Sequence, residues 1–153
     1  MSKGKKTALI SGCIIGLAII MVGLGILIKS RLPKTYSSAK KECEKVLAGH
    51  QVEMERIAVE ALESNAPASG EFEEYSYSCQ IKEGLVPFDI GAQGWLGGQY
   101  WELIYTQDGT LYGETESYLY KEPNGNNIIR AEKIGDHWWY CWTDYDGTGK
   151  SYQ

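Results

Sequence analysis

Four short stretches of this chain hold residue types that chemistry uses. Leu9-Ile10-Ser11-Gly12-Cys13 has the order of the box that precedes a lipid-modified cysteine: aliphatic, small, Gly, Cys. Gly147-Thr148-Gly149-Lys150-Ser151 ends like a phosphate-cradling loop, and Asp144-Tyr145-Asp146-Gly147 spaces two carboxylates as a calcium loop does. His137 and Cys141 set a base four residues from a nucleophile. Three of these fail on spacing. The phosphate loop needs a glycine where Asp144 stands. A calcium loop needs a later acidic ligand, and residues 147–153 contain none. On a strand, residues four apart share a face but lie about 13 Å apart, too far for His137 to activate Cys141. The only other histidine, His50, falls on a helix, and neither histidine has a zinc-ligand spacing. No metal, no cofactor and no catalytic residue is expected.

The Cys13 box depends on what surrounds it. Residues 7–28 run without a charge, and most of that apolar length follows Cys13. A secretory signal puts its apolar region of roughly 7–15 residues before the cut. Cutting at Cys13 would leave a long apolar tail on the product. A cut near Ala39 would lie 11 residues beyond Ile28. We read the leader instead as an uncleaved signal anchor. About 20 apolar residues span a bilayer as a helix, because hydrocarbon offers the backbone no partner. Ala8, Gly12 and Gly16 recur at the four-residue spacing that lets two membrane helices approach, so self-association is a reading of that stripe.

Charge divides the chain at the same place. Residues 1–34 carry six basic residues and no acidic one. The remainder carries nine basic against twenty acidic, a net −11, together with every aromatic residue. The organisation expected is a short basic tail over 1–6, a transmembrane helix over 7–28, a juxtamembrane linker over 29–38 and a domain over 39–153. Basic residues flank the span on both sides, so their asymmetry orients it weakly. An acidic, Trp- and Tyr-rich domain behind such a leader reads as exported: a cell-membrane, single-pass protein with its C-terminal domain extracytoplasmic. A surface at −11 argues against nucleic acid as a partner.

Pro33 ends any helix that reaches it, and Ser37 or Ser38 caps the next. Apolar Cys43, Val46, Leu47, Met54, Ile57, Ala58, Ala61 and Leu62 predict an amphipathic helix over 39–63, with Gly49 as a weak point. Strand-type runs follow at 72–82, 85–90, 99–106, 110–121, 127–134 and 137–143. Pro87 marks an edge or irregular strand. Asp108-Gly109, Asn124-Gly125 and Gly135-Asp136 mark hairpins. The fold class predicted is α+β: one helix packed on a curved antiparallel sheet of five or six strands, cystatin-like or NTF2-like in outline.

If Asp108-Gly109 were a two-residue turn, one sheet face would carry Trp101, Tyr105, Tyr112, Glu114, Glu116 and Tyr118. The smaller-residue face would then take the helix. The aromatic and acidic face would be free to stack on a glycan or hold a basic segment of a protein partner. The alternative is that these aromatics are core, in which Glu114 and Glu116 would sit badly. Cys79 and Cys141 fall on strands, where they would either pair in an oxidising compartment or stay as buried thiols. Gly91 to Gly109 resembles a segment of small bacterial membrane-anchored proteins of unknown function, which implies no activity. The function expected is partner binding near the membrane, with a cell-surface glycan-binding module or a small hydrolase as alternatives.

Overall fold

A computed structural model describes residues 34–145, apart from 65, 94–97 and 124–126. The expected span over 7–28, with Ala8, Gly12 and Gly16, lies outside the described residues, as does 147–151. No helix among the described residues is long and apolar enough to cross a membrane.

The helix begins one cap earlier than the serines suggest. Thr35 Oγ1 accepts the Ser38 N–H at 3.2 Å, and Ser38 Oγ accepts the Thr35 N–H at 2.8 Å. This reciprocal capping box uses Ser where Glu is more usual. Helix α1 then runs unbroken from Tyr36 to Glu63. It buries Ala39, Cys43, Leu47, Met54, Ala58 and Ala61, mostly small residues at helical spacing. Gly49 does not interrupt it. That residue is on the solvent side, where an added Cβ would meet nothing within 4 Å.

Seven strands form one antiparallel sheet: β1 (Ser69–Phe72), β2 (Tyr75–Ser78), β3 (Leu85–Gln93), β4 (Gln99–Thr106), β5 (Ser117–Lys121), β6 (Ile128–Lys133) and β7 (Trp138–Asp144). The order across it is β1-β2-β3-β4-β7-β6-β5. The extra strand arises because the run 72–82 breaks into a tight hairpin at Glu73, whose φ is 51°. Pro87 lies in an inner strand rather than at an edge, and that strand is irregular, with a register shift between Asp89 and Gly91. The β2 ladder reaches β3 only at Asp89 and Phe88, so Pro87 falls just past it and loses no partner on that side.

The expected β4–β5 hairpin does not form. The Asp108 carboxylate accepts the Thr110 N–H at 2.9 Å, closing a local turn, and the chain continues as a loop to β5 at the far edge. The place beside β4 goes to β7, which is buried along its whole length. A strand with apolar residues on both faces is stable only between neighbours, and Trp138–Asp144 meets that condition better than Ser117–Lys121. The 107–116 loop lays Leu111, fully buried, over the sheet face opposite α1.

The two faces are also the reverse of the expectation. Trp101, Leu103 and Tyr105 of β4 join Trp138, Tyr140 and Trp142 of β7 under α1. The small residues belong to the helix, so the helix needs the large-residue face of the sheet to fill the gap. Replacing the solvent-side glycine tests the continuity of α1 through position 49. Gly49→Ala is expected to stabilise the domain by about 1 kcal/mol, raising Tm by roughly 4 °C in a thermal melt.

Candidate functional site

Strand register places a line of polar side chains across the face that α1 leaves open. Ser76 of β2 opposes Asp89 of β3, Asp89 opposes Glu102 of β4, and Glu102 opposes Cys141 of β7. The Ser76 hydroxyl donates to Asp89 Oδ2 at 2.6 Å. Glu102 is flanked by acid and thiol. Burial, then the Asp89 charge, then a hydrogen bond with Asp89 push its carboxyl up to about 7. It therefore holds a proton at mildly acidic pH. Burial, and then Glu102, push the Cys141 thiol up to about 12. Cys141 is thus a poor nucleophile.

Asp89 and Glu102 lie on the wall of a cleft of about 550 Å³. The β1–β2 hairpin contributes Glu71, Glu73, Glu74 and Tyr75, and β4 contributes Tyr100. Among the described residues, five carboxyl groups line the cleft and no Lys, Arg or His does. Its floor depends on a bulge in β3, where the register slips between Asp89 and Gly91. A Cβ on Gly91 would come within 2.5 Å of the Trp101 ring, so only glycine lets the strand pass under the indole. The indole is itself held from above. Trp101 Nε1–H donates to Glu42 Oε2 on α1 at 2.9 Å, and Lys34 Nζ lies 5.4 Å from the ring centroid.

The expected binding face is not assembled. Trp101 and Tyr105 are buried beneath α1, although Trp101 also borders the cleft. Tyr112, Glu114 and Glu116 are exposed on the 107–116 loop, and Tyr112 adopts φ 52°. Tyr118 is half-buried on β5, its ring 5.1 Å from that of Tyr112. The solvent exposure of Glu114 and Glu116 removes the objection that they would be stranded in a core. Cys79 and Cys141 are free and cannot pair, because Cys79 packs with the cluster under α1 and Cys141 with the cluster on the opposite face. His137 spends its Nδ1 on the Thr106 carbonyl at 3.0 Å. The ring of His50 packs edge-on to Phe72 at 5.5 Å.

Asp89 and Glu102 escaped the sequence reading. The available signal was a single carboxylate set inside each of two strand-type apolar runs, 85–90 and 99–106. Among the described residues, no group of three or more His, Cys, Asp or Glu is arranged to hold a metal ion. Comparison with known proteins finds no matching family model, no matching curated protein and no matching solved structure.

The raised Glu102 carboxyl makes a signed prediction. The folded state holds this proton more tightly than the unfolded chain. Its stabilising contribution is therefore full below about pH 4.5 and lost as pH rises through about 7. Glu102→Gln keeps a neutral side chain at every pH. In urea denaturation the variant should match the wild type near pH 4.5 and exceed it by about 2 kcal/mol at pH 8.

Proposed function

We propose that this chain is a single-pass membrane protein that presents its acidic α+β domain outside the cytoplasm and binds a basic segment of a protein partner. The observation that carries the reading is the cleft: among the described residues, five carboxyl groups, two tyrosines and no lining cation. Recognition of an ammonium or guanidinium group calls for carboxylates to pair it and aromatic faces to pack its alkyl or planar part. The uncharged 22-residue leader supports the anchor, and the basic-to-acidic change after position 34 supports export. The cystatin-like or NTF2-like outline and the leader's self-association belong to the same reading. A glycan partner is the second reading, favoured by exposed Tyr100 beside those carboxylates, a surface on which a sugar ring stacks.

Replacing Glu71, Glu73 and Glu74 together by Gln tests the partner class. These residues are exposed on the hairpin, where the long Glu73–His50 contact at 3.9 Å adds little to stability. Capture of basic protein segments should fall at least tenfold, about 1.4 kcal/mol, with Tm unchanged. A glycan array that retains its signal with wild type and loses it with Tyr100→Ala would favour the second reading instead. For location, protease added to intact cells should remove the C-terminal domain. Full protection of that domain would place it on the cytoplasmic side.

A further inference from the structure

Five strands reach one end of the sheet together. Register aligns Gln93, Gln99, Asp144, Ile128 and Lys121 of β3, β4, β7, β6 and β5 in a terminal row. The chain enters the domain at this end. Gln93 Nε2–H donates to the Lys34 carbonyl at 2.7 Å, and Gln93 Oε1 accepts the Lys34 N–H. One row inward, Tyr100, Thr143, Ile129 and Tyr120 stand side by side. Tyr100 alternates with inward-turned Trp101, and Tyr120 follows by two residues Tyr118, which packs opposite α1. Both rings therefore lie on the face that α1 leaves open. Tyr145, just past the row, meets Tyr100 edge-on at 5.5 Å. Tyr100, Tyr120 and Tyr145 are 39, 41 and 52 % exposed. Three strand spacings separate Tyr100 from Tyr120, a band about 14 Å wide.

A tyrosine in this state has an apolar body and a polar tip, the combination favoured where hydrocarbon meets water. The tether says which such boundary is within reach. Six residue steps separate Ile28, the last of the uncharged stretch, from Lys34. Fully extended, they span about 20 Å. Resting on the anchor reading above, we infer that this end of the domain docks on the bilayer interface through Tyr100, Tyr120 and Tyr145. Lys121 in the terminal row can lay its stem beside the rings and hold its ammonium among lipid phosphates. The exposed glutamates of the β1–β2 hairpin stand at the opposite edge of the sheet from β5. Contact on the β5 side keeps their charge in water.

The test uses the full chain in phosphatidylcholine nanodiscs, isotope-labelled, with a nitroxide on the lipid headgroup. Amide signals of Tyr100, Tyr120 and Tyr145 should be broadened to loss. Those of Gly84, Gly109 and Gly135, at the other ends of the strands, should persist. Combining Tyr100→Ser, Tyr120→Ser and Tyr145→Ser should restore the lost signals with Tm unchanged. Tyr112→Ser, at an exposed tyrosine on the 107–116 loop, should leave them broadened. Broadening spread evenly over the domain, or unaffected by the triple variant, would overturn the docking and leave the anchor standing. Tyrosine signals that survive the nitroxide but shift when a second copy shares the disc would assign the band to a self-contact and overturn the lipid contact. A chain that does not enter nanodiscs would overturn both readings.

Discussion

The packing of large aromatic side chains on β4 and β7 against small side chains on α1 decides everything else in this domain. Trp101 and Trp142 stack with centroids 5.7 Å apart, and Tyr36 closes edge-on over Tyr140 at 5.0 Å. Beneath the helix these rings meet Ala39, Cys43, Ala58 and Ala61, so the helix axis can lie close to the sheet. Burying one such ring removes roughly 150–250 Å² from water, worth several kcal/mol. Burial of β7 on its two faces leaves the indole N–H groups of Trp138, under the helix, and Trp139, on the opposite face, without acceptors among the described residues, at about 1–3 kcal/mol each. Area wins over the lost hydrogen bonds, and the aromatic face is committed to the helix.

That commitment sends the charged residues of the inner strands to the other face. Alternation allows no other outcome: with Trp101 and Leu103 turned inward, Glu102 turns outward, and its register partners Asp89 and Cys141 turn with it. The bulge at Asp89/Gly91 then couples the two sides of the sheet. Trp101 is fixed by Glu42 of α1, presses on Gly91, and borders the cleft where the carboxyl pair lies. The cleft is therefore shaped by core packing rather than by loops alone, a rigid placement suited to recognition.

The helix and most strands were legible in the sequence because their signals are local. The period of Cys43, Leu47, Met54, Ala58 and Ala61 survives in the buried stripe of α1. The Gly135-Asp136 turn survives as the β6–β7 hairpin, where Lys133 pairs with Trp139. Pairing between distant strands was not legible. Asp108-Gly109 is a real turn, with Gly109 at φ 76°, but a turn signal does not reveal that Trp138–Asp144 competes for the same edge of β4. Choosing the wrong neighbour moved the proposed site to Tyr112, Glu114, Glu116 and Tyr118. It also hid Asp89 and Glu102, because two acids 13 positions apart become a pair only once register is known. The choice of sheet face failed for a related reason. Size complementarity is a property of two surfaces, and only one was being weighed.

What folding leaves unexplained is the acid pair itself. An apolar residue at position 102 would suit a strand bordered by Ile104, Trp139 and Cys141, and would remove both a desolvation cost and a repulsion. A lysine at either position would neutralise the other. The sequence has neither, and instead adds Glu71, Glu73 and Glu74 around the same cleft. Local choices that oppose the stability of a fold concentrate where a site has a task. Here they concentrate on one wall of one cleft, while Leu111 and its loop pack on Leu85, Ile104, Trp139 and Cys141 of the same face. The acid pair therefore lies on the wall of the cleft and not under the loop.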